Sequence, residues 1–258
     1  KVKMGGEEMI LDDIFKVGKI ELEGKKIKDV IIGLSIIAVQ LDNNEVGSSY
    51  VLREELDSCC SIFPKDFKLI GMDAIEMAKW AITEENILKR ALGIAVLNAG
   101  CRNRYKQMTD LKSIDFLNAV KDTDIVGMIG YLGPIVKDLK GKTKDFIIFD
   151  KGKQEANGVY QQNKQAELLP NCDIVFISGT AFINNTIDEV LKMCTKAREV
   201  IIVGSSTIIY PEAYKNSKIS IIAGAFWKKE YKEEIFKIIS MAGGIRNLSP
   251  YMEKVSII

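Results

Sequence analysis

The sequence predicts an α/β protein in two parts, a small α+β unit followed by a doubly wound parallel sheet. Three observations carry this. The second half repeats short Ile/Val runs without period-2 alternation, as strands covered on both faces do. Helix-like segments alternate with those runs, the β-α-β-α rhythm of a parallel sheet. The first part instead shows an apolar stretch, a turn signal and a return strand, followed by helical stripes.

Taken in order, residues 7–17 place Met9, Ile10, Ile14 and Phe15 on one helical stripe. Residues 29–41 are β-branched and nearly uninterrupted, and read as one strand. Asp42-Asn43-Asn44 is a turn, and 45–52 returns as the second arm of a hairpin. Residues 72–82 and 84–98 read as two helices, with Thr83 the expected N-cap of the second. The polar stretch 106–122 is the expected junction, dividing an N-terminal unit of residues 1–110 from a second of residues 111–258. Beyond it, strands are expected at 125–129, 146–149, 174–177, 200–203 and 219–222, with an edge strand at 255–258. Helices are expected at 134–140, 181–196, 211–215 and 228–241.

Composition narrows the chemistry. The 258 residues include no histidine and five cysteines, with 47% hydrophobic and 28% charged residues. Such a chain can bury a core. It has no Ser-His-Asp triad, Cys-His dyad or His-ligated metal. Lys+Arg is 36 against Asp+Glu 35, a net charge of +1. That lacks the basic excess duplex binding needs, so no nucleic-acid partner is expected. No apolar run reaches spanning length, so no membrane partner is expected. Few cysteines and no recognisable leader point to a cytoplasmic location. A homodimer is the default expectation for assembly.

Ligands of an open parallel sheet bind beyond the carboxyl ends of its strands. Four such ends carry small and polar residues. The first, Gly127 through Pro134, is a G-x-x-G-x-x-G run containing Gly130 and Tyr131. Glycines let backbone approach a ligand, but a tight turn also explains them. The second is Asp150, 23 residues after Gly127, where dinucleotide-binding sheets hold a ribose hydroxyl. A solvated loop aspartate is the plain alternative. The third is Ser178-Gly179-Thr180, with Asn184 about one helical turn on; ordinary helix capping competes there. The fourth is Gly204-Ser205-Ser206-Thr207, three hydroxyls after a glycine, which a loop of Ser/Thr turns would also produce. These residues form the expected ligand site, without a named cofactor or catalytic base. Arg102 and Arg104, near the junction, either face a cleft and hold an anion or belong to the connector. Cys59-Cys60 are vicinal thiols that could hold a soft metal if a third donor joined them, or buried small hydrophobes.

These residues bear a resemblance. Gly33 through Asp42 with Gly47-Ser48-Ser49-Tyr50, then Ile94 through Ala99, resemble the N-terminal companion of the putative heavy-metal chelation family (domain of unknown function 364). Gly127 through Pro134, Glu167-Leu168-Leu169-Pro170, Ser178-Gly179-Thr180 with Asn184 and Thr186, and Gly204-Ser205-Ser206-Thr207 resemble the main domain. Ser205 stands where that family usually has proline, and Asp150 where it often has glutamate. The resemblance implies an enolase-N-terminal-like domain followed by a Rossmann-like domain with a cleft between. It further implies a cytosolic protein that handles a metal or a small metal-chelating molecule. A hard-metal site would draw on oxygen donors such as Asp150 and Glu167. Three functional expectations follow: a small polar or anionic, possibly metal-chelating, ligand in the cleft; a nucleotide or S-adenosylmethionine-type cofactor; or soft metal on Cys59 and Cys60.

Overall fold

The computed structural model describes residues 9–56, 61–152 and 158–257. The chain opens with α1 (Ile10–Leu22), then β1 (Ile27–Ile32), β2 (Ile36–Leu41) and β3 (Val46–Tyr50). These three strands form an antiparallel sheet in the order β1-β2-β3. Helices α2 (Ala74–Thr83) and α3 (Ile87–Gln107) follow.

The apolar stretch expected to be one strand is two. Gly33-Leu34-Ser35 turns the chain, closed by Gly33 N–H donating to Ile36 O. The stretch looks continuous because β2 is buried along its whole length. Ile37, Val39 and Leu41 join the core formed with α3, while Ile36 and Ala38 face a second cluster on the opposite side. The expected cap is also corrected. Thr83 ends α2, its Oγ1 donating to Lys79 O. Asp73 caps α2, and Asn86 caps α3 by accepting from the N–H groups of Leu88 and Lys89. Thr83 is followed by an extended Glu84, so the second helix starts later than its apolar pattern suggests.

The second part runs β4 (Ile125–Ile129), α4 (Gly133–Leu139), β5 (Asp145–Phe149), β6 (Val159–Tyr160), α5 (Gln165–Leu168) and β7 (Ile174–Ser178). It continues with α6 (Thr180–Ile183), α7 (Ile187–Met193), β8 (Glu199–Val203), β9 (Ile221–Trp227), α8 (Lys232–Ser240), α9 (Ile245–Leu248) and β10 (Met252–Ile257). The sheet order is β10-β9-β8-β7-β4-β5-β6. Every pair is parallel except β9–β10, so the C-terminal strand closes one edge antiparallel. One face of the sheet, with Met128, Ile148, Phe176 and Ile201, packs on Ile135 and Val136 of α4. The other, with Ile129, Phe149, Ile177 and Ile202, is continuous with the core under α1 and α3.

Three helix expectations change. The segment 181–196 breaks at Asn184-Asn185-Thr186, where Asn185 takes a positive φ of 56°. Residues 211–214 make only a 3-10 turn. Residues 228–241 supply α8, which packs on β1 and β2 of the small sheet, with Trp227 at the end of β9 in the same cluster. That contact buries the second face of β2. The strand expected at 219–222 lies at 221–227, because Ser220 turns back to bond Val200 across the strand start.

Candidate functional site

The six parallel strands, numbered along the chain, lie in the spatial order 3-2-1-4-5-6. This is the order of doubly wound dinucleotide-binding sheets, whose ligand crevice opens where the order reverses. Here the reversal falls between β4 and β7. The first and third of the four expected strand ends, Gly130-Tyr131 and Ser178-Gly179-Thr180, therefore meet at the switch point.

Gly130 takes a φ of +84°, a conformation that L side chains rarely adopt, and a Cβ there would lie 2.8 Å from Ser178 Cβ. The missing side chain lets the β4 turn close onto the end of β7. Thr180 Oγ1 donates to Ser178 Oγ at 2.9 Å, and Thr180 N–H reaches the same oxygen at 3.3 Å. Two hydroxyls sharing one bond leave one hydroxyl proton over. That spare donor sits at the switch point, with Ser178 9% exposed and Thr180 half-buried.

Asp150, at the end of β5, spans the turn. Its Oδ2 accepts Tyr131 N–H at 2.7 Å and its Oδ1 accepts Gly152 N–H at 2.9 Å. This accounts for an acid at that position, and each oxygen keeps further acceptor capacity. Lys151 pairs with Glu55 at 3.0 Å, and a side chain at 152 would lie within 4 Å of Glu54 Oε1. The segment after β3 thus lies against the β5 end. Glu54 and Glu55 border the site by topology alone; nothing local in the sequence marks them.

The 204–207 loop is largely an anchor. Ser206 and Thr207 are buried. Ser206 Oγ accepts Tyr50 N–H at 2.8 Å, and Ser205 O accepts from Ser48 Oγ at 3.4 Å. Ser48 also receives Trp227 Nε1–H on its hydroxyl and Asn98 Nδ2 on its carbonyl. Gly179 lets this loop approach: a Cβ there would lie 2.6 Å from Thr207 N. Thr207 Oγ1 is buried without a hydrogen-bond partner. Gly204 and Ser205 remain half-buried at the crevice side.

Two expected residues stand apart. Gly127 lies within β4, where a Cβ would press on Cys172 Sγ, so its smallness serves packing of the 169–172 segment. Asn184 ends α6, its Oδ1 accepting from Thr186 Oγ1 at 2.7 Å, one turn beyond Thr180. Arg102 and Arg104 are engaged within the protein. Arg102 bonds Trp227 O and Glu253 and stacks over Phe226; Arg104 pairs with Glu212.

The described donors do not fit a directly held heavy metal. The thiols of Cys101, Cys172 and Cys194 are buried, and burial pushes them up to about 12, about 12 and about 11. The metal-binding form is the thiolate. Among the described residues no three Cys, Asp or Glu side chains gather as a ligand set. Cys59 and Cys60 lie outside the described residues. Glu167 is exposed and pairs with Lys164 at 2.7 Å. No described helix is long and apolar enough to cross a membrane.

Comparison with known proteins adds the following. The DUF364 family model, described as putative heavy-metal chelation, matches residues 112–258. The DUF4213 model, with the same description, matches residues 18–101. An uncharacterized protein of Methanocaldococcus jannaschii is 33% identical over 143 residues, 54% of this chain and 54% of that protein, so the match spans about half the length of that curated relative. The crystal structure of a DUF364-family protein of unknown function from Pyrococcus horikoshii superposes with a TM-score of 0.82 at 22% identity, covering 97% of this chain and 100% of that one. One from Desulfitobacterium hafniense superposes with a TM-score of 0.76 at 19% identity, covering 95% and 97%.

Proposed function

This chain belongs to the DUF364 family, and from that premise we propose that it binds a small polar or anionic molecule, of the kind that chelates metal, at the β4–β7 switch point. The observation that carries the reading is the spare hydroxyl proton of the Ser178–Thr180 pair, placed where the strand order reverses. A hydroxyl donor in a partly buried crevice favours an acceptor-rich ligand such as a carboxylate or phosphate. Gly130, Tyr131, Gly179, Gly204 and Ser205 would frame the ligand, Asp150 would hold the turn, and Ser206 and Thr207 would anchor the wall. Gly127 and Asn184 would support it from behind. The family's label fits better with a metal carried by such a chelator than with a metal gripped by buried thiols. Free cysteines suit the cytoplasmic location that belongs to the same reading.

A second reading has its own support. The 3-2-1-4-5-6 order with an acid at the end of the second strand is how nucleotide cofactors are held. On that reading Asp150 takes a ribose hydroxyl with its remaining acceptor capacity.

Native mass spectrometry of the purified protein, followed by thermal melts with citrate, nickel citrate, ADP, NAD and S-adenosylmethionine, separates the two. A ligand present at a hundred times its Kd stabilises by about 2.7 kcal/mol. The Gly130→Val/Thr180→Val double variant is expected to lose that stabilisation. Undiminished stabilisation of the variant by the same ligand would remove the site from the switch point.

A further inference from the structure

The loop that ends β8 carries a second set of donors. Thr207 N–H donates to Gly204 O at 3.1 Å, and neither Ser205 nor Ser206 has a positive φ. A hydrogen-bonded turn of that kind is type I, and the Ser205 and Ser206 N–H groups lie outside its bond. Neither donates to a group among the described residues.

The direction of these groups is fixed from behind. Ser205 O accepts from Ser48 Oγ at 3.4 Å, and Ser48 is buried, its hydroxyl also receiving Trp227 Nε1–H at 3.0 Å. A trans peptide is planar, with its N–H opposite its C=O. Pinning Ser205 O to Ser48 therefore aims the Ser206 N–H away from the small sheet. The open side of the loop faces the end of β7. A Cβ on Gly204, whose φ is +131°, would meet only Gly179 N within 4 Å. Thr207 Oγ1, buried without a hydrogen-bond partner, faces Gly179 from the same loop, 3.0 Å from where a Cβ there would lie.

Gly179 is all that separates this loop from the Ser178–Thr180 hydroxyl pair. The two donor sets thus stand on paired strand ends, β7 and β8, about 4.8 Å apart as neighbouring strands are. Asp150 and Glu54 lie on the far side of β4, at the β5 end, and turn negative charge away from there.

We propose that the ligand is a polyacid, with a second anionic group held by the Ser205 and Ser206 N–H groups. This rests on the switch-point reading and adds the class of molecule that the site takes. One acid group accepts the spare hydroxyl proton of the Ser178–Thr180 pair. The next, one strand spacing away, accepts the two N–H groups; successive backbone N–H groups hold an anion without a cation. Ser48 is a positioning residue. It reaches no ligand and sets the direction of the peptide that does.

Succinate and butyrate share a four-carbon chain and differ by one carboxylate, so calorimetry of the full chain with each tests this. Succinate is expected to bind about tenfold more tightly or better at matched ionic strength, the size of one charge-assisted hydrogen bond. Ser205→Pro suits the second position of a type I turn and removes one N–H donor, whereas Ser205→Ala keeps it. The preference for succinate is expected to fall by about tenfold in the proline variant relative to the alanine variant. If the proline variant does not fold, the amide proton resonances of Ser205 and Ser206 in the parent decide. They are expected to move downfield with succinate and not with butyrate. The inference is overturned if neither acid binds, if succinate is not preferred, if the two variants keep the same preference, or if neither amide responds. Thr180→Val tests the underlying site and is expected to weaken both acids. If it does so while Ser205→Pro changes nothing, the switch-point site stands and the second anion position is removed. If both acids bind the Thr180 variant as they bind the parent, the switch-point reading itself falls.

Discussion

Asp150 holds the backbone of Tyr131 at 2.7 Å across the β4–β5 strand ends, and holds Gly152 with its other oxygen. The carboxylate thereby sets the turn that carries Gly130 to Ser178. Asp150→Ala frees two backbone N–H groups and is expected to cost roughly 1–2 kcal/mol, tempered by partial exposure. Asp150→Asn keeps one acceptor and should cost less. Urea melts measure both. Equal stability of all three proteins would show that the turn stands without the carboxylate.

At the opposite end of the sheet, Arg198 grips Asp124 with two bonds, at 2.7 and 2.6 Å, from the start of β8 to the start of β4. Asp124 is buried and Arg198 is 37% exposed on its side chain. The guanidinium holds the Asp124 carboxyl below its usual range. A depressed carboxyl gives stability that is present above its unfolded value, about 3.9, and is lost as pH falls through the folded value. Stability should therefore drop in the acid range, and Arg198→Met should shrink that component to what the Lys121 N–H supplies. The variant is expected to lose about 1–3 kcal/mol at neutral pH, less than a fully buried pair because solvent screens Arg198. A pH series of denaturant midpoints that is parallel for both proteins would argue against this.

Asp188 has the opposite sign. Its Oδ1 accepts Ile10 N–H at 3.1 Å while Oδ2 is buried without a partner, and burial raises its carboxyl. A raised carboxyl contributes stability that is present below its unfolded value and lost as pH rises through the folded value. Mild acidification from neutral should thus stabilise the fold before the Asp124 component is lost. In Asp188→Asn that rise should vanish, because the amide does not titrate. A rise of the same size in the variant would assign it to another group.

Much of the parallel sheet was legible in the sequence because its strands are covered on both faces. Val126, Met128, Val175 and Ile177 all had to be apolar, and such runs need no alternation. The same logic misled at 29–41. There β2 is covered on its second face by α8, which arrives some two hundred residues later, so nothing local separated β1 from β2. The polar strand ends were equally visible as clusters, but not their division of labour. Ser206 is an anchor because its partner is Tyr50, 156 residues away. Glu54 and Glu55 reach the β5 end only through the path of the chain after β3.

That anchor is testable. Ser206→Ala leaves the Tyr50 N–H unpaired in a partly buried position and is expected to cost about 1–2 kcal/mol. Gly179→Ala attacks the same joint from the other side. Its Cβ would stand 2.6 Å from Thr207 N and 2.7 Å from Ser206 C, and backbone cannot swing aside as a side chain can. Both substitutions strain one loop, so their effects should not add. A double-mutant cycle on thermal stability that gives simple additivity would separate Gly179 from the Ser206 joint.

The three described thiols bear on the metal question. Cys101 Sγ contacts Asn98 O at 3.1 Å within α3, and Cys194 Sγ, just past the end of α7, contacts Val190 O of that helix at 3.2 Å; both side chains are buried. With their thiols held at about 12 and about 11, and Cys172 at about 12, almost none is thiolate near neutral pH. Alkylation of the native protein should leave these three unmodified, while denaturant exposes all five cysteines in the sequence. Peptide mapping by mass spectrometry reads this residue by residue. If a soft metal added to the native protein protects Cys101, Cys172 or Cys194 from alkylation that otherwise occurs, the buried-thiol argument against direct chelation fails. If the three stay unmodified with and without metal, any metal this protein handles must reach it through other donors or inside a bound chelator.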